Sequence, residues 1–163
     1  MLELENVVAK VKSNHYDLYN QLVEVEKVVR QNEIKNIFLN YTNEGFLAKY
    51  LLLPINKLTF NSYDFKHFSE YGNFENCTFV SHKLETINIQ DYDLMHFDCT
   101  HNFKDWESYL KRILRLNPKY IILSNTRINQ LETIKIVKGV FHKTYDIQSV
   151  MDGYNGLMIF KKR

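Results

Sequence analysis

Asp91-Tyr-Asp-Leu-Met-His-Phe-Asp-Cys-Thr-His101 decides the fold. Residues 92–97 are mostly apolar and bulky, as in a buried strand, and the run ends abruptly in the polar cluster Asp98-Cys99-Thr100-His101. A helix-period pattern follows, with Phe103, Trp106, Leu110, Ile113 and Leu114 on one face. Leu116-Asn-Pro-Lys119 then breaks the helix, and Tyr120-Ile-Ile-Leu-Ser-Asn125 forms a second apolar run. Strand, helix, Pro-marked loop and strand make a right-handed βαβ unit. Ligand chemistry in open α/β sheets collects beyond the carboxyl ends of the strands, where Asp98 and His101 would stand.

Composition bounds what this unit belongs to. A chain of 163 residues is one domain, large enough to bury a core. Hydrophobic content of 45% and charged content of 25% are those of an ordinary soluble globular protein. A net charge of +2, with Lys and Arg scattered, argues for neither nucleic acid nor a membrane surface as partner. No apolar run approaches the roughly 20 residues needed to span a bilayer. The opening Met1-Leu-Glu-Leu-Glu5 is acidic where a secretory leader would be basic. Cys77 and Cys99 fall on strands that are not neighbours, so free thiols and a cytoplasmic setting are expected.

Read in order, residues 2–31 are helical, with Ser13 as an N-cap and Leu18, Leu22, Val25 and Val29 as a stripe at helical spacing. The stripe packs on the sheet; its alternative use is a homodimer seam. Strands are expected at Ile34–Asn40, Ile55–Phe60 and Cys77–Val80, with a helix at Phe46–Leu53 stopped by Pro54. After the central unit, Ile128, Leu131, Ile134 and Val137 mark a helix that Gly139 closes. Two final strands, Val140–Gln148 and Gly156–Phe160, are joined by Val150-Met-Asp-Gly-Tyr-Asn155, with Asp-Gly as the hairpin signal.

This order of elements resembles the class I S-adenosylmethionine-dependent methyltransferases over nearly the whole chain. Tyr92-Asp-Leu-Met-His-Phe-Asp-Cys-Thr-His101 looks like that family's "fDlifiDgdH" strand, and Leu114-Arg-Leu-Asn-Pro-Lys-Tyr-Ile-Ile-Leu-Ser124 looks like its "llkPGGyivl" segment. The resemblance implies an α/β fold with a doubly wound, Rossmann-like sheet. That sheet is mostly parallel, ends in an antiparallel hairpin and carries helices on both faces. It also implies S-adenosylmethionine as cofactor, held by the turn after the first strand. There the family's "D/E-x-G-x-G-x-G" is replaced by Asn40-Tyr41-Thr42-Asn43-Glu44-Gly45, with glycine kept only at Gly45. Asn61 stands roughly where an acid would hold the ribose, and Ser81 and His82 stand where an acid would meet the adenine.

Asp98 and His101 are the expected catalytic pair, and Asp98 also belongs to the expected cofactor bed. A carboxylate ending a central strand can take a proton from an acceptor hydroxyl, or cap the next helix instead. His101, with an ordinary pKa near 6.5, can act as a base or simply be exposed at a helix start. One Asp and one His make a weak metal site, and none is expected. His96 reads as a core residue; His15, His67 and His142 read as surface. The implied function is methyl transfer to an oxygen or nitrogen of a small-molecule acceptor. The alternative is a non-catalytic methyltransferase-like protein binding a partner chain or another nucleotide-like ligand.

Overall fold

The computed structural model describes residues 2–61, 74–80, 92–100, 106–128 and 130–163. Two helices, α1 (Leu2–Asn14) and α2 (Tyr16–Gln31), precede β1 (Asn36–Asn40), α3 (Glu44–Leu52), β2 (Lys57–Asn61) and β3 (Cys77–Val80). The central unit is β4 (Leu94–Asp98), α4 (Trp106–Leu116) and β5 (Tyr120–Ser124). Helix α5 (Gln130–Ile136) runs into a π-helical turn at Val137–Phe141, and β6 (Tyr145–Met151) and β7 (Leu157–Lys162) complete the order. The seven strands among these residues form one sheet, β3-β2-β1-β4-β5-β7-β6. β7 runs antiparallel to both β5 and β6, and the other pairings are parallel. This is the mostly parallel sheet with a terminal antiparallel hairpin that the sequence implies.

The sheet is covered on both faces because its strands alternate into two separate cores. Ile37, Leu39, Leu58, Phe60, Leu94 and Ile122 pack with Leu18, Leu22, Val25 and Val29 of α2 and Phe46, Leu47 and Tyr50 of α3. Phe38, Met95, Phe97, Ile121 and Leu123 pack on the opposite face with Ile113 of α4 and Phe141. The α2 stripe therefore packs on the sheet, as the first reading of those four residues expects.

Three local expectations are corrected. Ser13 does not cap: it lies in the last turn of α1, where its hydroxyl donates to the Lys10 carbonyl at 3.0 Å. The helices break at His15, whose φ of −141° and ψ of 69° are not helical. Gly139 does not end a helix, because the chain continues through it as a π turn, and the described residues put only Gly156 among glycines at positive φ. Ile128, expected in the last helix, precedes its start at Gln130, and Ile128 and Leu131 are 49% and 77% exposed.

At the amino ends of β1 and β4, Asp93 acts as a clamp. Its Oδ2 accepts from the backbone N–H groups of Lys35 and Asn36 at 3.1 Å each, and its Oδ1 accepts from Lys119 Nζ at 2.8 Å.

Candidate functional site

The strand order reverses between β1 and β4. The segment after β1 leads to α3 on one face, and β4 leads to α4 on the other, so the two exits part and leave a crevice at the carboxyl ends. Register sets Asn61 opposite Asn40, Asn40 opposite Phe97, and Asp98 opposite Ser124. At a strand spacing of about 4.8 Å, the row from Asn61 to the end of β5 spans roughly 14 Å.

Asn40 and Asn61 are both buried. Asn61 Nδ2 donates to Asn40 Oδ1 at 3.0 Å, so the two strand ends are tied by their amides. The chain then turns sharply: Tyr41 takes a left-handed φ of 47° and its N–H donates to the Asn61 carbonyl at 3.2 Å. Thr42 follows with its Oγ1 buried and without a hydrogen-bond partner among the described residues. Such an orphan costs about 1–3 kcal/mol. Asn43 caps α3, its Oδ1 accepting from the Phe46 N–H at 3.0 Å.

Gly45, the one family glycine kept in this turn, is used for helix packing. A Cβ at this position would lie 3.1 Å from Val11 Cγ2 of α1 and 3.3 Å from Asn43 Oδ1. A side chain here would crowd the approach of α1 to α3 and make Val11 give way by a few tenths of an ångström.

Across the crevice, Asp98 is buried and its Oδ1 accepts two hydrogen bonds. One comes from the Thr100 N–H and one from Asn125 Nδ2, each at 2.9 Å. Asn125 reaches it from the end of β5 by adopting a φ of 56°. No described residue bonds Asp98 Oδ2. Ser81, His82 and His101 lie outside the described residues, so the expected adenine contact and the expected second catalytic group have no place in this geometry. His67 and Trp106's side chain likewise fall outside it.

Behind the crevice a buried polar chain links α3, β4 and β5. Tyr50 Oη is 3.1 Å from His96 Nδ1, and His96 Nε2 is 2.9 Å from Ser124 Oγ, which in turn donates to the Phe97 carbonyl at 3.4 Å. One assignment satisfies all three groups: Tyr50 donates to Nδ1 and a neutral Nε2–H donates to Ser124. Burial pushes the imidazole down to about 3, so His96 stays neutral and structural. Burial, with the Asp98 charge beside it, pushes the Cys99 thiol up to about 12. Burial raises Cys77 to about 11. Both cysteines are free, and neither is a thiolate nucleophile near neutral pH. No group of three or more His, Cys, Asp and Glu residues suited to a metal occurs among the described residues.

The β6–β7 hairpin expected from the sequence is present, but its tight turn lies further along. The turn is expected at Asp152-Gly153, but the left-handed residues are Tyr154, Asn155 and Gly156, at φ 41°, 62° and 87°. The neighbouring Asn155-Gly156 pair was the better turn signal. This loop sits at the carboxyl end of β5, because Leu157 pairs with Ser124. Gln21 Nε2 donates to the Gly153 carbonyl at 2.5 Å, and Arg127 Nη1 donates to the Asp152 carbonyl at 3.0 Å. Tyr154 is thereby held edge-on to His15, ring centroids 5.5 Å apart. His15 is exposed, as expected, but it has this partner.

No protein-family model matches the sequence, and no curated protein does. Solved structures do match in fold. A methyltransferase from Geobacter sulfurreducens is 13% identical, with a TM-score of 0.71 over 96% of this chain and 89% of that one. The N-methyltransferase NodS from Bradyrhizobium japonicum, solved with S-adenosyl-L-homocysteine, is 9% identical, with a TM-score of 0.69 over 99% and 97%. A ribosomal protein L11 methylase from Lactobacillus delbrueckii is 14% identical, with a TM-score of 0.64 over 93% and 81%. With that strand order, its inverted last strand and these structural neighbours, the chain has the Rossmann-like fold of class I S-adenosylmethionine-dependent methyltransferases.

Proposed function

We propose that the protein transfers a methyl group from S-adenosylmethionine to an oxygen or nitrogen of a small-molecule acceptor. The observation that carries this reading is the crevice at the β1–β4 divergence. One wall holds the partnerless Thr42 hydroxyl and the Asn40–Asn61 amides, and the other holds the Asp98 carboxylate. An orphaned hydroxyl in the turn after β1 suits a ligand that supplies its missing partner, so the residues present fit the cofactor. Asn61 and Asn40 would meet the ribose hydroxyls, and Thr42 with the turn around Tyr41 and Gly45 would meet the amino-acid end. Ser81 and His82 are proposed for the adenine from sequence position alone.

The cofactor supplies an electrophilic methyl carbon on a sulfonium centre. Asp98 would take the proton that the acceptor O–H or N–H loses on methylation. His101 is proposed as a second base. Asn125 fixes the Asp98 carboxylate through Oδ1, leaving Oδ2 for the acceptor. Most of the rate comes from alignment of nucleophile and carbon, which rigid strand ends favour.

Calorimetric titration with S-adenosyl-L-homocysteine tests cofactor binding, and no heat at millimolar ligand rejects the proposal. Asp98→Asn should keep cofactor affinity while turnover drops about 10²–10⁴-fold, the usual worth of a proton acceptor. One observation favours the second reading, a non-catalytic binding protein: the turn's only glycine is filled by Val11 rather than left open to a ligand. Under that reading the same titration is silent.

A further inference from the structure

A pocket of about 330 Å³, partly open to solvent, lies beside the crevice between α1, α2, the start of α3 and the β6–β7 loop. Its apolar lining is Val7, Val11 and Leu18; Lys10, His15 and Tyr154 complete the wall. It shares Asn43, Glu44 and Gly45 with the turn after β1, so it opens next to the proposed cofactor bed.

Three features define what would fit. The first is the aromatic edge: Tyr154 and His15 meet at 63°, an arrangement that offers ring faces and edges to a planar guest. The Tyr154 ring reaches this place through a backbone φ of 41°, a conformation of the kind that stores strain at ligand sites. Gln21 holds the loop there through the carbonyls of Gly153 and Tyr154. The second is charge. Lys10 and Glu44 both line the cavity, and among the described residues Lys10 has no carboxylate partner. The third is size, since the volume lies at the low end for small-molecule sites and admits one or two rings.

We propose that this cavity receives the methyl acceptor and selects a small planar ring compound carrying a carboxylate or similar acidic group. The proposal rests on the methyl-transfer reading. The ring packs on Val11 and Leu18 against the Tyr154 edge, and the acid faces Lys10.

The test titrates the full chain with 4-hydroxybenzoate, 4-hydroxybenzyl alcohol and tyramine, followed by ligand-detected NMR, with S-adenosyl-L-homocysteine titrated separately. The acid should bind at least tenfold more tightly than the alcohol or the amine. Tyr154→Gly, which accepts the positive φ without strain, should weaken the acid more than tenfold. Lys10→Glu should erase the preference for acid over amine. Both variants should leave S-adenosyl-L-homocysteine affinity unchanged. Equal binding of the three probes, or no binding of the acid at millimolar concentration, overturns the assignment. Parallel loss of S-adenosyl-L-homocysteine in Tyr154→Gly also overturns it, because the cavity would then be part of the cofactor bed. Acid binding that needs Tyr154 in a protein that ignores S-adenosyl-L-homocysteine keeps the site and removes the reaction.

Discussion

Replacing Thr42 by Val isolates the turn after β1. Val has nearly the shape of Thr, so the swap exchanges a buried hydroxyl for a methyl group with little change in packing. The hydroxyl oxygen is shielded from solvent and has no described partner. An unpaired polar atom of this kind costs about 1–3 kcal/mol, and removing it should return a similar amount to the folded state. For a domain of this size 1 kcal/mol moves the melting point by roughly 2–4 °C, so Thr42→Val should melt several degrees higher. The same change should weaken S-adenosyl-L-homocysteine, because the ligand loses a hydrogen bond worth about 0.5–1.5 kcal/mol. That is between about twofold and tenfold in Kd. Chemical denaturation followed by circular dichroism reads the first effect, and calorimetric titration reads the second. A variant that is less stable than the parent refutes the orphaned hydroxyl. A variant that is more stable with unchanged ligand affinity refutes Thr42 as a cofactor contact.

Three further outcomes are expected. His96 is neutral and buried in the native state, with its pKa near 3, whereas in the unfolded chain it titrates near 6.5. Between those values the unfolded state binds the extra proton, so stability should fall as pH drops, by up to about 1.4 kcal/mol per pH unit. His96→Gln should flatten that part of a pH series of denaturation midpoints, and an unchanged slope rules His96 out as its source. Gly156→Ala should cost about 1–3 kcal/mol, since φ is 87° and the new Cβ would run into Thr126 Oγ1 and lie 2.9 Å from Arg127 Cγ; a neutral result by thermal melting contradicts that geometry. Leu22→Ala should cost about 2–5 kcal/mol at any protein concentration, because Leu22 is fully buried within the chain. A cost that vanishes on dilution would return the α2 stripe to a subunit interface.

The central strands were legible because each is a mostly apolar run ended by a polar residue, and β3 was read at its observed bounds. The hairpin was legible as a hairpin but not in detail, because two Gly-containing dipeptides compete within five residues. Gly139 misled because the chain passes through it in a π turn, which no periodicity signals. The candidate site was legible only where strand ends announce it. Asp98 stood out, but its tie to Asn125 depends on the register of β4 on β5 and on a left-handed backbone. The Asn40–Asn61 tie likewise needs two strands brought side by side. Tyr154 and His15 are far apart in sequence, and only the docking of the hairpin onto α2 makes them neighbours.

The inverted seventh strand also governs when the fold can be finished. β7 lies between β5 and β6, so during synthesis the backbone edge of β5 stays unsatisfied until residues 157–162 have left the ribosome. Until then the nascent chain exposes a row of bare N–H and C=O groups beside Ile121, Ile122 and Leu123, an invitation to wrong pairing. Maturation of this protein should therefore be a late, single event that seals its sheet from within.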